Sequence, residues 1–159
     1  RGLVGSEMCI RDRSRSPQAV LMGSAEDTEA AFYEAMQQGD VDRLMSLWAE
    51  DDDVACVHPG GPRLIGLGAI RAAFEAVLSA GGVSVTPVST RCLESGTCAV
   101  HHVLEKVEAM TSEGLKTAHV LATNVYLRTG RGWRMVAHHA SPGQADDMLE
   151  MIEAGPVLH

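Results

Sequence analysis

Apolar residues recur at helical spacing three times in the first half of the chain, and then the period changes. Ala31, Phe32, Ala35 and Met36 share one helical face behind Ser24 and Asp27, a near capping box, and Gly39 stops that helix. Asp40 caps a second helix that carries Val41, Leu44, Met45 and Trp48 on one side. The acidic turn Glu50-Asp51-Asp52-Asp53 then leads into a short β-rich run, Val54 to Val57. His58-Pro59-Gly60-Gly61-Pro62 is a loop, because two prolines and two glycines sustain neither a helix nor a ladder. A third helix is expected after Gly68, burying Ile70, Phe74, Val77 and Leu78 and ending at Gly81-Gly82.

Four β-rich stretches follow, at about residues 83–93, 97–109, 115–128 and 133–140. Their separators are Glu94-Ser95-Gly96, Ser112-Glu113-Gly114 and Thr129-Gly130-Arg131-Gly132, short and glycine-bearing as antiparallel hairpins require. Three helices followed by a four-stranded meander is an α+β order, not an alternating βαβ one. The strands lack clean polar/apolar alternation. That predicts a sheet covered on both faces, by the helices on one side and by a second copy of the chain on the other. Residues 144–154 carry Met148, Leu149 and Ile152 at the spacing of a last, weakly anchored helix.

With 159 residues, 45% of them hydrophobic, the chain fits one domain with one core. No apolar run is long enough to span a bilayer, so no membrane association is expected. The formal charge is −8; residues 1–16 carry +2, which leaves −10 on the remainder. So acidic a domain repels phosphate backbones, and nucleic acid is not expected as a partner. Cys56, Cys92 and Cys98 form no C-x-x-C pair and are odd in number; reduced thiols in a cytoplasmic protein are the simpler reading. Residues 1–16 have basic residues but no apolar h-region or cleavage site, so they do not read as a signal peptide, and residues 1–21 are read as a non-native or disordered tail. Met8-Cys9-Ile10-Arg11-Asp12-Arg13 reads like a translated sequencing adapter. The domain is therefore expected over 22–143, with a natural start near Met22 and 144–159 as a C-terminal tail or short helix.

The helix, Gly39-Asp40, second helix, Trp48-Ala49-Glu50-Asp51, short strand, Pro/Gly loop and Gly66-x-x-x-Ile70 resemble the SnoaL-like branch of the nuclear transport factor 2-like (NTF2-like) superfamily. So does the ending, Ala122-Thr123-Asn124-Val125-Tyr126 to Gly132-Trp133-Arg134-Met135-Val136, then His138-His139-Ala140-Ser141-Pro142, which is similar to bacterial members. The order and spacing of the motifs are more specific than any one of them. The resemblance covers about residues 25–143. It implies a cone-shaped, cystatin-like α+β fold, three helices packed on a curved, mainly antiparallel sheet. Ketosteroid isomerases of this superfamily use an Asp before a Pro as base; here that position reads His58-Pro59. A first-helix Tyr supplies one oxyanion donor, matched by Phe32 with Tyr33 one residue off, and a protonated Asp supplies the other, matched by Asn124. The chain departs from the isomerase pattern at every chemical position.

The residues have a physical reading of their own. The ring of Pro59 holds His58 extended, and an imidazole titrates nearest neutral pH, so it serves as a base unassisted, its activity rising around pH 6 to 7. Asn124 offers two N–H donors to a developing oxyanion. If Arg128 pairs with Trp133, Asn124 faces with Ala137, and a pocket-facing Asn124 brings Tyr126, Trp133 and His139 to its side and turns His138 away. A bulge at Gly132 would reverse the second strand. The candidate catalytic residues are thus His58, Asn124 and His139, and the candidate ligand-binding residues Phe32, Trp48, Tyr126 and Trp133. Each has a structural counter-reading: His58 as a loop cap, His139 as a core histidine, Asn124 as a pin between strands. Adjacent His101-His102 and His138-His139 point to opposite faces of a strand and cannot chelate one ion. No metal and no cofactor is expected, a cross-strand site from His58, His102 or His139 being the alternative.

Two functions are compatible with these residues. One is a cofactor-free enzyme using His-mediated proton transfer on a small apolar molecule: an isomerase, dehydratase or cyclase. The other is a non-catalytic homodimeric ligand-binding module. Converging His58, Asn124 and His139 favour the first; a pocket filled by Phe32, Trp48 and methionines favours the second.

Overall fold

A computed structural model describes residues 23–143. The tail at 1–21 and the helical pattern at 144–154 lie outside the described residues. The elements are helix α1 (Ala25–Gln38), α2 (Val41–Ser46), strand β1 (Ala55–Val57), β2 (Arg63–Ile65), α3 (Leu67–Val77), β3 (Ser84–Glu94), β4 (Cys98–Thr111), β5 (Gly114–Thr129) and β6 (Gly132–Pro142). This is the α+β order read from the periodicity, with three helices packed on one curved, mostly antiparallel sheet.

Local chemistry sets the helix ends. The Ser24 hydroxyl accepts from the Asp27 N–H, and the Asp40 carboxylate accepts from the Arg43 N–H. Gly39, at φ 70°, closes α1 in the left-handed conformation, its N–H reaching the carbonyls of Ala35 and Met36. Helix α3 begins two residues earlier than expected, with Gly66 as its N-cap, so Gly68 falls inside the first turn.

The sheet order is β2-β1-β6-β5-β4-β3. β3 to β6 form the expected meander, turning between Thr111 and Gly114 and between Thr129 and Gly132. β2, three residues within the Pro/Gly-rich region, is the element the periodicity did not show; it pairs antiparallel with β1, which itself runs parallel to β6. Two segments therefore grip the outer edge of β6: Trp48 bridges to Met135, and Ala55 to Val57 pair with Ala137 to His139. Val136 falls between them as an unpaired residue, and the β5–β6 register shifts there.

The core lies between the helices and the inner sheet face. Phe32, Leu44, Val54, Ile70, Phe74, Tyr126 and Met135 are its largest fully buried members apart from the polar ones described below. Gly82 passes so close to α1 that a Cβ there would sit 1.8 Å from the Gln37 carbonyl oxygen. Cys56 and Cys98 are free thiols, whereas Cys92 is disulfide-bonded, a departure from the reduced state expected of all three.

Candidate functional site

The register places a row of side chains across the inner face: Cys92, His101, Asn124, His138 and Cys56, on β3, β4, β5, β6 and β1 in turn. His101 and Asn124 are fully buried and His138 nearly so. Polar groups so placed need partners, and α1 supplies them. Glu29 and Tyr33, one helical turn apart, both point down onto the row. The Glu29 Oε2 accepts from His101 Nδ1 (2.8 Å), from Asn124 Nδ2 (3.1 Å) and from the Tyr126 hydroxyl (2.6 Å). Asn124 Nδ2 also donates to the Tyr33 hydroxyl at 3.0 Å, and that hydroxyl donates to Glu105 Oε2 at 2.5 Å.

This network decides protonation states. Burial first, then the neighbouring Glu105 and Glu29, pushes the Tyr33 phenol well above its usual range, so it remains an O–H donor. Burial does the same to Tyr126, reinforced by Glu29 and Tyr33. With both Asn124 amide hydrogens turned to α1, its Oδ1 faces His138 Nδ1 at 2.5 Å and must accept. His138 is then the Nδ1–H tautomer, and its Nε2 carries the free lone pair. Burial lowers its pKa to about 3, aided by the nearby His58 and His139, so the ring is neutral.

Beside the row, between α1, α3 and the sheet, lies a half-open cavity of about 240 Å³. Its walls are apolar, from Phe74, Val107 and Val120 among others, and its polar lining is His58, Glu105 and His138. His58 enters from the loop after β1, its ring edge-on to Phe74 at 4.8 Å and 6.2 Å from the ring of His138. Its Nε2 lies 3.6 Å from the Cys56 sulfur. Burial lowers the His58 pKa below 6.5 and raises that of Cys56 to about 12, which keeps Cys56 a thiol. Burial raises Glu105 to about 7, with the Tyr33 hydrogen bond opposing and Glu29 adding to the rise.

His58 therefore reaches the cavity, while Asn124 stands behind it and acts on it through His138. His139 does not reach it. It is exposed on the opposite face, paired with Thr123, because the extra residue at Val136 reverses the end of β6. The unbroken alternation predicted from Arg128–Trp133 holds only as far as Tyr126–Met135. Of the expected ligand-binding residues, Phe32 backs the wall, its ring 5.4 Å from that of His138 and 6.0 Å from that of Phe74. Trp48, Tyr126 and Trp133 do not line the cavity: Trp48 packs at the β6 edge, Tyr126 is held under Glu29, and Trp133 is buried near the start of α1, its carbonyl accepting from Thr28. Sequence reasoning missed Glu29, Glu105 and His138. The available signal was a lone acid inside an apolar strand, Val103-Leu104-Glu105, and a second on the buried side of α1, four residues before Tyr33.

The other sheet face is open. A hollow there is lined by His102, Leu104, Leu121, Thr123, Val125 and His139. No helix among the described residues is long and apolar enough to cross a membrane.

Comparison with known proteins agrees with this architecture. No curated protein matches the chain. Among solved structures, a candidate dehydratase of the NTF2-like family from Streptomyces avermitilis is 31% identical, over 74% of this chain and 93% of that one, with a TM-score of 0.67. A candidate calcium/calmodulin-dependent protein kinase type II association domain from Thiobacillus denitrificans is 37% identical, over 75% and 94%, with a TM-score of 0.64. An NTF2-like protein with a cystatin-like fold from Novosphingobium aromaticivorans, 22% identical over 79% and 85% with a TM-score of 0.64, shares the fold. The SnoaL-like domain matches residues 25–145, and with the cone of helices on sheet described above this chain belongs to the SnoaL-like family of the NTF2-like superfamily.

Proposed function

We propose that the cavity is the active site of a cofactor-free enzyme that moves a proton on a small, largely apolar molecule, with His58 as the base. The observation that carries this reading is the convergence of His58 and His138 on a mostly apolar cavity. A neutral imidazole in a desolvated pocket accepts a proton without assistance. Asn124 is a positioning residue: it holds His138 in one tautomer, so that Nε2 faces a ligand as an acceptor. About 240 Å³ is below the roughly 300–1,000 Å³ of pockets that take drug-sized ligands, which favours a substrate smaller than a steroid.

A second reading is a non-catalytic dimeric module. It draws on the open, apolar outer sheet face and on the likeness to an association domain at 37% identity. Dimerisation through that face is compatible with either reading, since the cavity lies on the other side of the sheet.

The two are separated by screening small enones, epoxides and ketosteroids for turnover and for thermal shift, with His58→Ala in parallel. The enzyme reading expects turnover that rises with pH through a midpoint below 6.5, and a loss of roughly a hundredfold in His58→Ala. Normal turnover by His58→Ala removes His58 as base. Ligands that raise the melting temperature without being turned over establish the module in its place.

A further inference from the structure

We propose that Glu105 is the proton donor of this cavity and that the substrate is a small, uncharged β-hydroxy carbonyl compound, which loses water there. The proposal rests on the proton-transfer reading above and narrows it.

Glu105 is the only carboxyl among the residues that line the cavity, and it stands on β4, whereas His58 stands on the loop after β1. Its Oε2 is taken up as acceptor of the Tyr33 hydroxyl, so the carboxyl's own proton belongs on Oε1. Tyr33 is itself held by Asn124, which also orients His138, so acid and histidine are aligned by one amide. With a pKa near 7, the carboxyl still holds its proton under conditions in which His58 has lost its own.

An isomerase lifts a proton and returns it through one base, and the donors that hold its enolate oxygen keep their own protons. Elimination of water needs a base and an acid at once, and this cavity holds both. No Lys or Arg lines it, so a phosphate or carboxylate in the cavity would find no cationic partner. An uncharged substrate with its oxygens toward Glu105 and His138, and its carbon chain toward Val107 and Val120, fits the lining.

The step balances. His58 takes the proton α to the carbonyl, and the electrons of that C–H bond form the new carbon–carbon double bond. The bond from the β-carbon to its hydroxyl oxygen breaks, and the Glu105 proton joins that oxygen, which leaves as water. His58 is left protonated and Glu105 as carboxylate, and transfer of the proton from one to the other through solvent restores both. No oxidant, reductant or cofactor is consumed.

The test uses β-hydroxy ketones of four to ten carbons, with the conjugated enone product read by ultraviolet absorbance. Wild type should dehydrate at least one member, with a bell-shaped pH profile whose alkaline limb falls near 7. Glu105→Gln should lower kcat a hundredfold or more with KM little changed and lose that limb. Tyr33→Phe removes a donor that favours the carboxylate, and should move the limb to higher pH. Infrared difference spectra should show a protonated carboxylic acid at pH 6 in wild type that is absent from Glu105→Gln. Should the glutamine variant not fold, Glu105→Asp, which keeps the acid but withdraws it, carries the same expectation for kcat. Dehydration at the wild-type rate by a Glu105 variant overturns the donor assignment. Wild type that binds or isomerises enones but dehydrates none of the panel overturns the substrate class while the proton-transfer reading stands. With neither turnover nor binding of any ligand, both fall.

Discussion

Glu105 and His138 carry opposite penalties, and both can be measured without a substrate. A carboxyl raised from 4.5 to about 7 binds its proton more tightly in the folded chain than in the unfolded one. Its contribution is therefore most favourable below 4.5 and is lost as pH climbs to about 7, a loss of about 3 kcal/mol at roughly 1.4 kcal/mol per pH unit. Glu105→Gln has no such group. Its stability relative to wild type should rise from pH 4.5 to about 7 and then level off, as read by urea melts at each pH; a difference independent of pH would show that the carboxyl is not shifted. His138, lowered to about 3, acts the other way: the unfolded chain takes up a proton below 6.5 that the folded ring refuses, so stability falls as pH drops from 6.5. Between about 4.5 and 6.5 the two slopes oppose each other. Asn124 is the junction of Glu29, Tyr33 and His138: deleting it strands the His138 Nδ1–H and takes one donor each from Glu29 and Tyr33.

The element that decides the site is β6. It is paired on both edges, with β5 on one side and with Trp48 and β1 on the other, and the single unpaired residue at Val136 reconciles the two. One residue of register exchanges every side chain between faces. The neighbours His138 and His139 therefore make a built-in control. His138→Ala leaves Asn124 Oδ1 without its donor and should cost roughly 1–3 kcal/mol together with most of any turnover. His139→Ala, on the exposed face, should stay within about 0.5 kcal/mol of wild type and leave turnover intact. Thermal melts and one activity assay on the pair check this; equal effects would place the bulge elsewhere.

For the whole molecule, the outstanding feature is the unoccupied sheet face. Leu121 and Leu127 are 42% and 41% exposed, side by side with Val125 on the central strand β5, and Leu93 adds to the same face from β3. A monomer gains nothing by keeping such side chains wet. We expect a homodimer that buries this face, at the scale of at least about 1,000 Å² typical of specific interfaces. Light scattering at micromolar concentration should report twice the chain mass, and Leu121→Glu should halve it without unfolding the subunit. A wild-type monomer at that concentration would leave the face to some other partner.

Much of the fold was legible because its signals are local. Ser24, Gly39 and Asp40 act within one helical turn, and the turns at Ser112-Glu113 and Gly130-Arg131 act across two residues, so helix ends and hairpin order follow from the chain itself. His58, held by Pro59 in a loop between elements, was legible for the same reason. The rest of the site was not. Glu29 meets Tyr126 from 97 positions away, Tyr33 meets Glu105 from 72, and His138 faces inward because two separate segments grip the far edge of its strand. Residue types and periodicity state which groups are available. Which face a strand presents depends on its register with distant strands, and a buried acid finds its donors only when helix and sheet have packed. The amino-acid sequence by itself determined the helices, the meander strands and their order, and offered His58 as a candidate; tertiary packing added β2, chose His138 over His139 and brought Glu105 into the cavity, since register and burial are properties of contacts between segments remote along the chain.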